Sequence, residues 1–182
     1  MFYFVRHGKS DYSLQNTKIY QNFGVNLSPL SQQGVFQIKE TSKDNRLFDA
    51  DIIITSPYTR AVQTAAILSK ELGIDIAVET DLHEWIANKN YIYETDENAW
   101  VAYYAYAANK GEYPQGTEKN WETAEMIRKR VFAVLEKYKH YKKVIVTAHG
   151  MLIQAVTGSH HPKNGEIIEF ELEGDKNEIS QG

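Results

Sequence analysis

The chain has 182 residues, 42% of them hydrophobic and 24% charged, which suits a globular domain with a substantial core and excludes a low-complexity or disordered protein. A net charge of -4 argues against a broad nucleic-acid footprint, so an anion has to be recognised by a local cluster of cations. No apolar run approaches the roughly 18 residues of a membrane span, a core strand follows Met1 too closely to leave room for a cleavable leader, and there is no cysteine for disulfides; the expectation is a cytoplasmic protein without membrane contact.

In chain order, Phe2-Tyr3-Phe4-Val5 reads as a buried strand that delivers Arg6-His7-Gly8 at its carboxyl end. Ser31 caps a helix carrying Val35 and Ile38. Ile52-Ile53-Ile54 is a second strand, ending in Thr55-Ser56-Pro57. Ser56 then suits the N-cap of a helix and Pro57 its first turn, while Ala61, Ala65, Leu68 and Leu72 form its apolar stripe and Gly73 stops it. Arg60 falls in that first turn, beside backbone donors and the positive dipole end. Alternating Ile74, Ile76 and Val78 predict a third strand leading to Leu82-His83-Glu84. A long helix is predicted over 118–139 with Ile127, Val131, Val134 and Leu135 inward. Val144-Ile145-Val146-Thr147-Ala148 is a further buried strand running into His149-Gly150, and a last helix follows. Residues 166–172 alternate as an edge or outer strand, and the polar tail from Gly174 reads as frayed. Strands alternating with helices predict an α/β fold, a mainly parallel central sheet with helices on both faces, in one domain spanning 1–182. Two histidines, two arginines and a carboxylate then meet at strand ends, where ligands bind in open α/β sheets.

FVRHGKS at 4–10, LSPLSQQG at 27–34, TSPYTRAVQTA at 55–65, DLHEW at 81–85, TAHGMLI at 147–153 and NGEIIEFEL at 164–172 follow one another in an order that resembles the histidine phosphatase superfamily. That group contains the cofactor-dependent phosphoglycerate mutases and many phosphomonoesterases. The resemblance implies a phosphoglycerate mutase-like fold, with His7 as nucleophile and Arg6, Arg60 and His149 as phosphate ligands. Glu84 is implied as the acid that protonates the leaving alkoxide and later activates water. The chemistry agrees: guanidinium forks match phosphate oxygens, and a neutral imidazole among cations attacks phosphorus. Gly8 and Gly150 permit close approach of backbone to ligand. Neither metal nor other cofactor enters the scheme.

Some positions depart from the mutase pattern. The mutases' phosphate-binding asparagine falls at Ser13, with Asn16 three residues on, and both are candidate substrate contacts. Lys9 stands where the mutases have glutamate, and Gly116-Thr117-Glu118 replaces their Gly-Glu-Ser. These departures favour the phosphatase branch and a phosphomonoesterase of a small phosphorylated metabolite working through phosphohistidine. Phosphoglycerate mutase, a protein phosphohistidine phosphatase and a non-catalytic phosphate-ligand sensor are the alternatives. The pattern assigns neither a leaving group nor an oligomeric state.

The segment at about 86–117 corresponds to the superfamily's cap insertion over the site. It holds Tyr91, Tyr93, Tyr103, Tyr104, Tyr106 and Tyr113 with Trp100. These read as a helical packing face through Trp100, Tyr103 and Tyr104, or alternatively as contacts to the leaving group. His83 rivals Glu84 as acid but reads as a rim residue, and His160-His161 before Pro162 reads as a turn rather than a metal pair. His140 among Lys137, Lys139, Lys142 and Lys143 reads as a solvated helix end.

Overall fold

The computed structural model of the protein describes residues 1–14 and 24–172, so Asn16 and the tail from Gly174 lie outside the described residues. Five strands, β1 (Phe2–Arg6), β2 (Ile52–Thr55), β3 (Ile76–Val78), β4 (Val144–Ala148) and β5 (Ile167–Phe170), form one sheet in the order β3-β2-β4-β1-β5. β4 pairs in parallel with β1 and β2, β3 pairs in parallel with β2, and only β5 runs antiparallel, along β1. The helices are α1 (Gly24–Leu27), α2 (Gln32–Thr41), α3 (Thr59–Leu72), α4 (Asp96–Ala108), α5 (Ala124–Tyr138) and α6 (Gly150–Thr157).

Strand alternation sorts the core into two layers. Phe4, Ile54 and Val146 face Ile127, Val131 and Leu135 of α5 and Leu152 of α6. Their neighbours Val5, Ile53 and Ile145 face Ile38 of α2 and Ala65 and Leu68 of α3. The mainly parallel sheet with helices on both faces is thus the fold of the chain. Among the described residues no helix is long and apolar enough to cross a membrane.

Two caps sit where the sequence puts them. Ser31 accepts the Gly34 amide at 3.1 Å ahead of α2, and Gly73 closes α3 with φ 72°, a left-handed conformation that favours glycine. Other boundaries move. α3 begins at Thr59 with Tyr58 at the N-cap; Ser56, whose hydroxyl lies 2.7 Å from His149 and accepts the Tyr58 amide at 3.3 Å, and Pro57 precede the helix. The helix expected over 118–139 spans only Ala124–Tyr138. Its N-terminal part pairs across the chain instead: the Lys89 amide donates to Asn120 and the Glu122 amide to Ile86, leaving Thr123 to cap. β3 starts two residues later than the alternation from Ile74, whose amide still closes α3 onto Ser69.

α4 departs most from expectation. It forms where the aromatic spacing predicts a helix, yet Trp100 and Tyr104 are 58% and 64% exposed, and Tyr103 and Tyr106 make the contact, edge-on to Trp85. The reason is geometric: the side facing the body is set by Trp85, whose indole N–H is fixed to the Glu122 carbonyl at 2.7 Å.

Candidate active site

Parallel pairing of β1 with β4, in a register that sets Arg6 against Ala148, brings the two strand ends side by side. The next residue of each strand is a histidine, and the rings of His7 and His149 lie 5.2 Å apart. β2, on the other flank of β4, turns at Ser56, whose amide is bonded to Thr147, and α3 returns Arg60 toward the same point. Arg60 reaches His7 from the first turn of α3, its Nε 3.2 Å from His7 Nε2. The strand ends and the first turn of α3 thus bring His7, Arg60 and His149 together, with the charge of Arg6 also felt at His7.

The tautomer of His7 follows from its neighbours. Nδ1 lies 2.7 Å from the Gly8 carbonyl, which can only accept, so the proton belongs on Nδ1. Nε2 then offers a lone pair to the Arg60 N–H. Burial, reinforced by Arg60 and then by Arg6 against the opposing Gly8 bond, brings the pKa of His7 down to about 3, so the ring is neutral at ordinary pH. His149 is fully buried and also held well below the ordinary histidine range, first by burial and then by Arg60. Its Nε2 is 2.7 Å from the Ser56 hydroxyl, which already accepts the Tyr58 amide. That hydroxyl is free to donate to Nε2, which leaves the proton of His149 on Nδ1.

Three buried polar atoms have no partner among the described residues: Arg6 Nε, His149 Nδ1 and Ser10 Oγ. Orphaned buried donors are costly, and two of these belong to the proposed anion clamp. Other donors of the clamp are spent on the protein itself. Arg6 donates to the Pro162 carbonyl at 2.5 Å, and Arg60 donates to the Val25 carbonyl. Burial pulls the Arg6 pKa below its usual value, with Glu84 the largest opposing influence.

Glu84 is anchored to the helix that His149 caps. Its carboxylate accepts the amides of Trp85 at 2.8 Å, Leu152 at 3.1 Å and Met151 at 3.3 Å, at the start of α6. His83 is nearby but occupied at both nitrogens, by the Glu84 carbonyl at 2.7 Å and the Tyr91 hydroxyl at 3.3 Å. A bidentate pair between Arg130 and Glu122, with Arg130 also bonded to the Asp81 carbonyl, ties α5 to the segment that carries both.

The other sequence candidates fall differently. Ser13 stands exposed with its amide on Asp11, away from the clamp's contacts. Gly8 and Gly150 are also closely approached by the protein itself: a Cβ on Gly8 would meet the Gly34 carbonyl at 2.5 Å, and one on Gly150 would meet the His161 ring. His160 pairs with Glu166 at 2.8 Å on a loop, as the turn reading has it.

Sequence reasoning did not single out Tyr58. Its ring lies 5.1 Å from the Arg60 guanidinium, 5.2 Å from His149 and 6.4 Å from His83, joining three site groups. Burial pushes its hydroxyl up to about 12, so it stays neutral. Its position inside TSPYTRA was the available signal. Trp85, Asn88 and Glu94 were missed as well; with Tyr58, Arg60 and Glu84 they line a cleft of about 360 Å³ that also takes in Tyr91 and Tyr93. Those two tyrosines precede α4 and so take no part in its packing face.

A family model described as histidine phosphatase superfamily (branch 1) matches residues 2–177. An uncharacterized phosphatase, PhoE, of Bacillus subtilis is 31% identical over 84% of this chain and 72% of its own. Among solved structures, phosphoglycerate mutase from Bacillus anthracis superposes with a TM-score of 0.65 at 20% identity, covering 91% of this chain and 85% of its own. A mycobacterial glucosyl-3-phosphoglycerate phosphatase in complex with inorganic phosphate gives 0.62 at 19% identity, covering 85% and 75%. At such identities these two share the fold.

Proposed function

The chain belongs to branch 1 of the histidine phosphatase superfamily and acts on phosphate monoesters, and we propose that it hydrolyses a small phosphorylated metabolite through a phosphohistidine at His7. The observation that carries this reading is the Arg60 N–H on the lone pair of His7 Nε2, in a ring whose other nitrogen is fixed by a carbonyl. A nucleophile needs an unprotonated nitrogen next to positive charge, and that arrangement supplies both.

The phosphoryl group would take the donors now spent on Val25 and His7, together with Arg6 Nε and the Nδ1–H of His149. Nε2 of His7 attacks phosphorus in line, the N–P bond forms and the P–O bond to the alcohol breaks. Glu84 is the acid that gives a proton to the departing oxygen. Water then attacks the phosphohistidine, Glu84 takes the proton from it, and phosphate leaves with His7 restored. Glu84 releases its amide contacts on α6 or shares them during this cycle, while Tyr58 holds Arg60 and His149 in place.

The segment at 86–117 acts as the cap, its first half walling the cleft next to Glu84. Mutase chemistry is the second reading, but Lys9, where the mutases carry glutamate, is held on the surface by Gln33 at 3.0 Å and brings no acid to the site. A cytoplasmic setting suits a cysteine-free chain acting on metabolites. Phosphate release from a panel of phosphorylated metabolites, run beside a mutase assay on phosphoglycerate, tests the assignment. Interconversion of phosphoglycerates without net phosphate release would replace it.

A further inference from the structure

The cleft next to the clamp carries negative charge that the phosphoryl chemistry does not use. Tyr58, Trp85, Tyr91 and Tyr93 give it aromatic walls, Glu94 and Asp96 give it carboxylates, and Arg60 is the one cation among its described lining residues. Arg60 is already committed to the phosphoryl group. Glu94 is half-buried and held by neutral donors alone, Asn88 at 2.8 Å and Asn98 at 3.3 Å. No lysine or arginine pairs with Glu94 or Asp96 among the described residues. Asp96 is exposed and hydrogen-bonded to the Tyr93 side chain, so both carboxylates keep their charge without a counter-ion, and the aromatic faces beside them attract cations as well.

An anionic leaving group, such as a carboxylated alcohol, would instead meet Glu94 and Asp96 together. A polyol would hydrogen-bond to them but leave their charge uncompensated. The phosphate end of the same site announces itself by the orphaned Arg6 Nε and His149 Nδ1, so the substrate is anionic at one end and the cleft selects the opposite sign at the other.

We propose that the substrate is the phosphate ester of a small amino alcohol. Its phosphate sits on the arginines and histidines, and its ammonium group lies among Tyr91, Tyr93, Glu94 and Asp96. The volume of about 360 Å³ is at the small end of ligand sites and suits such a headgroup. The amine takes no part in bond breaking; it sets orientation. The inference rests on the phosphatase reading for its phosphate end alone.

The test is calorimetric titration of the His7→Gln protein, which cannot be phosphorylated, with phosphocholine, phosphoethanolamine, glycerol 3-phosphate and 3-phosphoglycerate. Both amine esters should bind about tenfold more tightly than glycerol 3-phosphate, the scale of a desolvated cation among aromatic rings. Adding Glu94→Gln should abolish that preference, the amine esters losing about tenfold more affinity than glycerol 3-phosphate. Asp96→Asn, on the exposed rim, is the second variant should the first fail to fold. Equal affinities, or a preference for glycerol 3-phosphate or 3-phosphoglycerate, overturn the proposal. Turnover of p-nitrophenyl phosphate by the unaltered protein separates the two levels: turnover without amine preference removes this inference only, and amine preference with no ester turned over removes the phosphatase reading and keeps the cation-selective cleft.

Discussion

Arg60 donates its Nε–H to Nε2 of His7 across 3.2 Å, so the cation rests on the nitrogen proposed as the nucleophile. The contact keeps that nitrogen free of a proton and is surrendered when a phosphoryl oxygen arrives. Brief incubation with labelled substrate, followed by denaturation, should leave acid-labile, base-stable phosphate on the protein, and His7→Ala should leave none. Arg60→Ala should lower the rate of labelling by roughly a hundredfold or more, the usual loss when one transition-state donor is removed. Label on an acid-stable serine or aspartate adduct would replace the mechanism.

The buried imidazoles also make stability depend on pH. In the unfolded chain His7 binds a proton near 6.5, whereas in the folded chain it does so only near 3, so between those values the unfolded state holds more protons. The contribution is complete above about 6.5 and is lost as pH falls toward 3, and His149 acts in the same direction. Thermal midpoints should therefore drop through this window, and a folded His7→Gln variant should show a shallower drop. An unchanged slope would mean that His7 titrates normally in the native protein.

Arg6, His7, Arg60 and His149 were legible because each ends or follows a strand or opens a helix, and parallel register converts such positions into spatial neighbours. His7 and His149 needed only Phe2–Arg6 and Val144–Ala148 to be adjacent strands. The helix starts at Thr59 and Ala124 were not legible, since they depend on where Ser56 and Glu122 find partners at a distance in sequence: His149 for one, Arg130 and Ile86 for the other. Tyr58 and Glu94 escaped for a related reason. A tyrosine among a dozen and an acid in a polar stretch carry no periodic signal, and only the fold aims them at the site.

The Glu122–Arg130 pair is an internal brace for the acid segment, with side chains only 6% and 11% exposed and a closest approach of 2.5 Å. Removing one member leaves the other charge buried without compensation. Glu122→Gln should destabilise the protein by about 3 kcal/mol in denaturant unfolding. It should also lower kcat, because Arg130 holds the Asp81 carbonyl three residues before Glu84. A loss below about 1 kcal/mol would show that the pair behaves as a surface bridge.

Charge neutralisation at the phosphoryl group is assigned to Arg6, Arg60 and His149. Activity should therefore survive exhaustive chelation, and vanadate, a mimic of five-coordinate phosphorus, should inhibit. Turnover lost in chelator and regained with zinc or manganese would assign that neutralisation to a metal.

Glu84 gives the most discriminating prediction, since a general acid matters only when the leaving group needs a proton. Glu84→Gln keeps the size of the side chain and one oxygen for the Trp85 and Leu152 amides that Oε1 now accepts, so only the longer 3.3 Å contact of Oε2 with the Met151 amide is given up. Phosphoryl transfer to His7 from an alkyl phosphate, whose alkoxide leaves poorly, should fall by about a hundredfold or more. Transfer from p-nitrophenyl phosphate, whose phenolate departs unaided, should fall far less. The comparison belongs in the burst phase, because steady-state turnover also contains water attack, for which Glu84 serves as base. Equal losses in the burst for both esters would remove Glu84 as the acid. His83→Ala would then be the variant to examine, although both of its ring nitrogens are already bonded, to the Glu84 carbonyl and the Tyr91 hydroxyl.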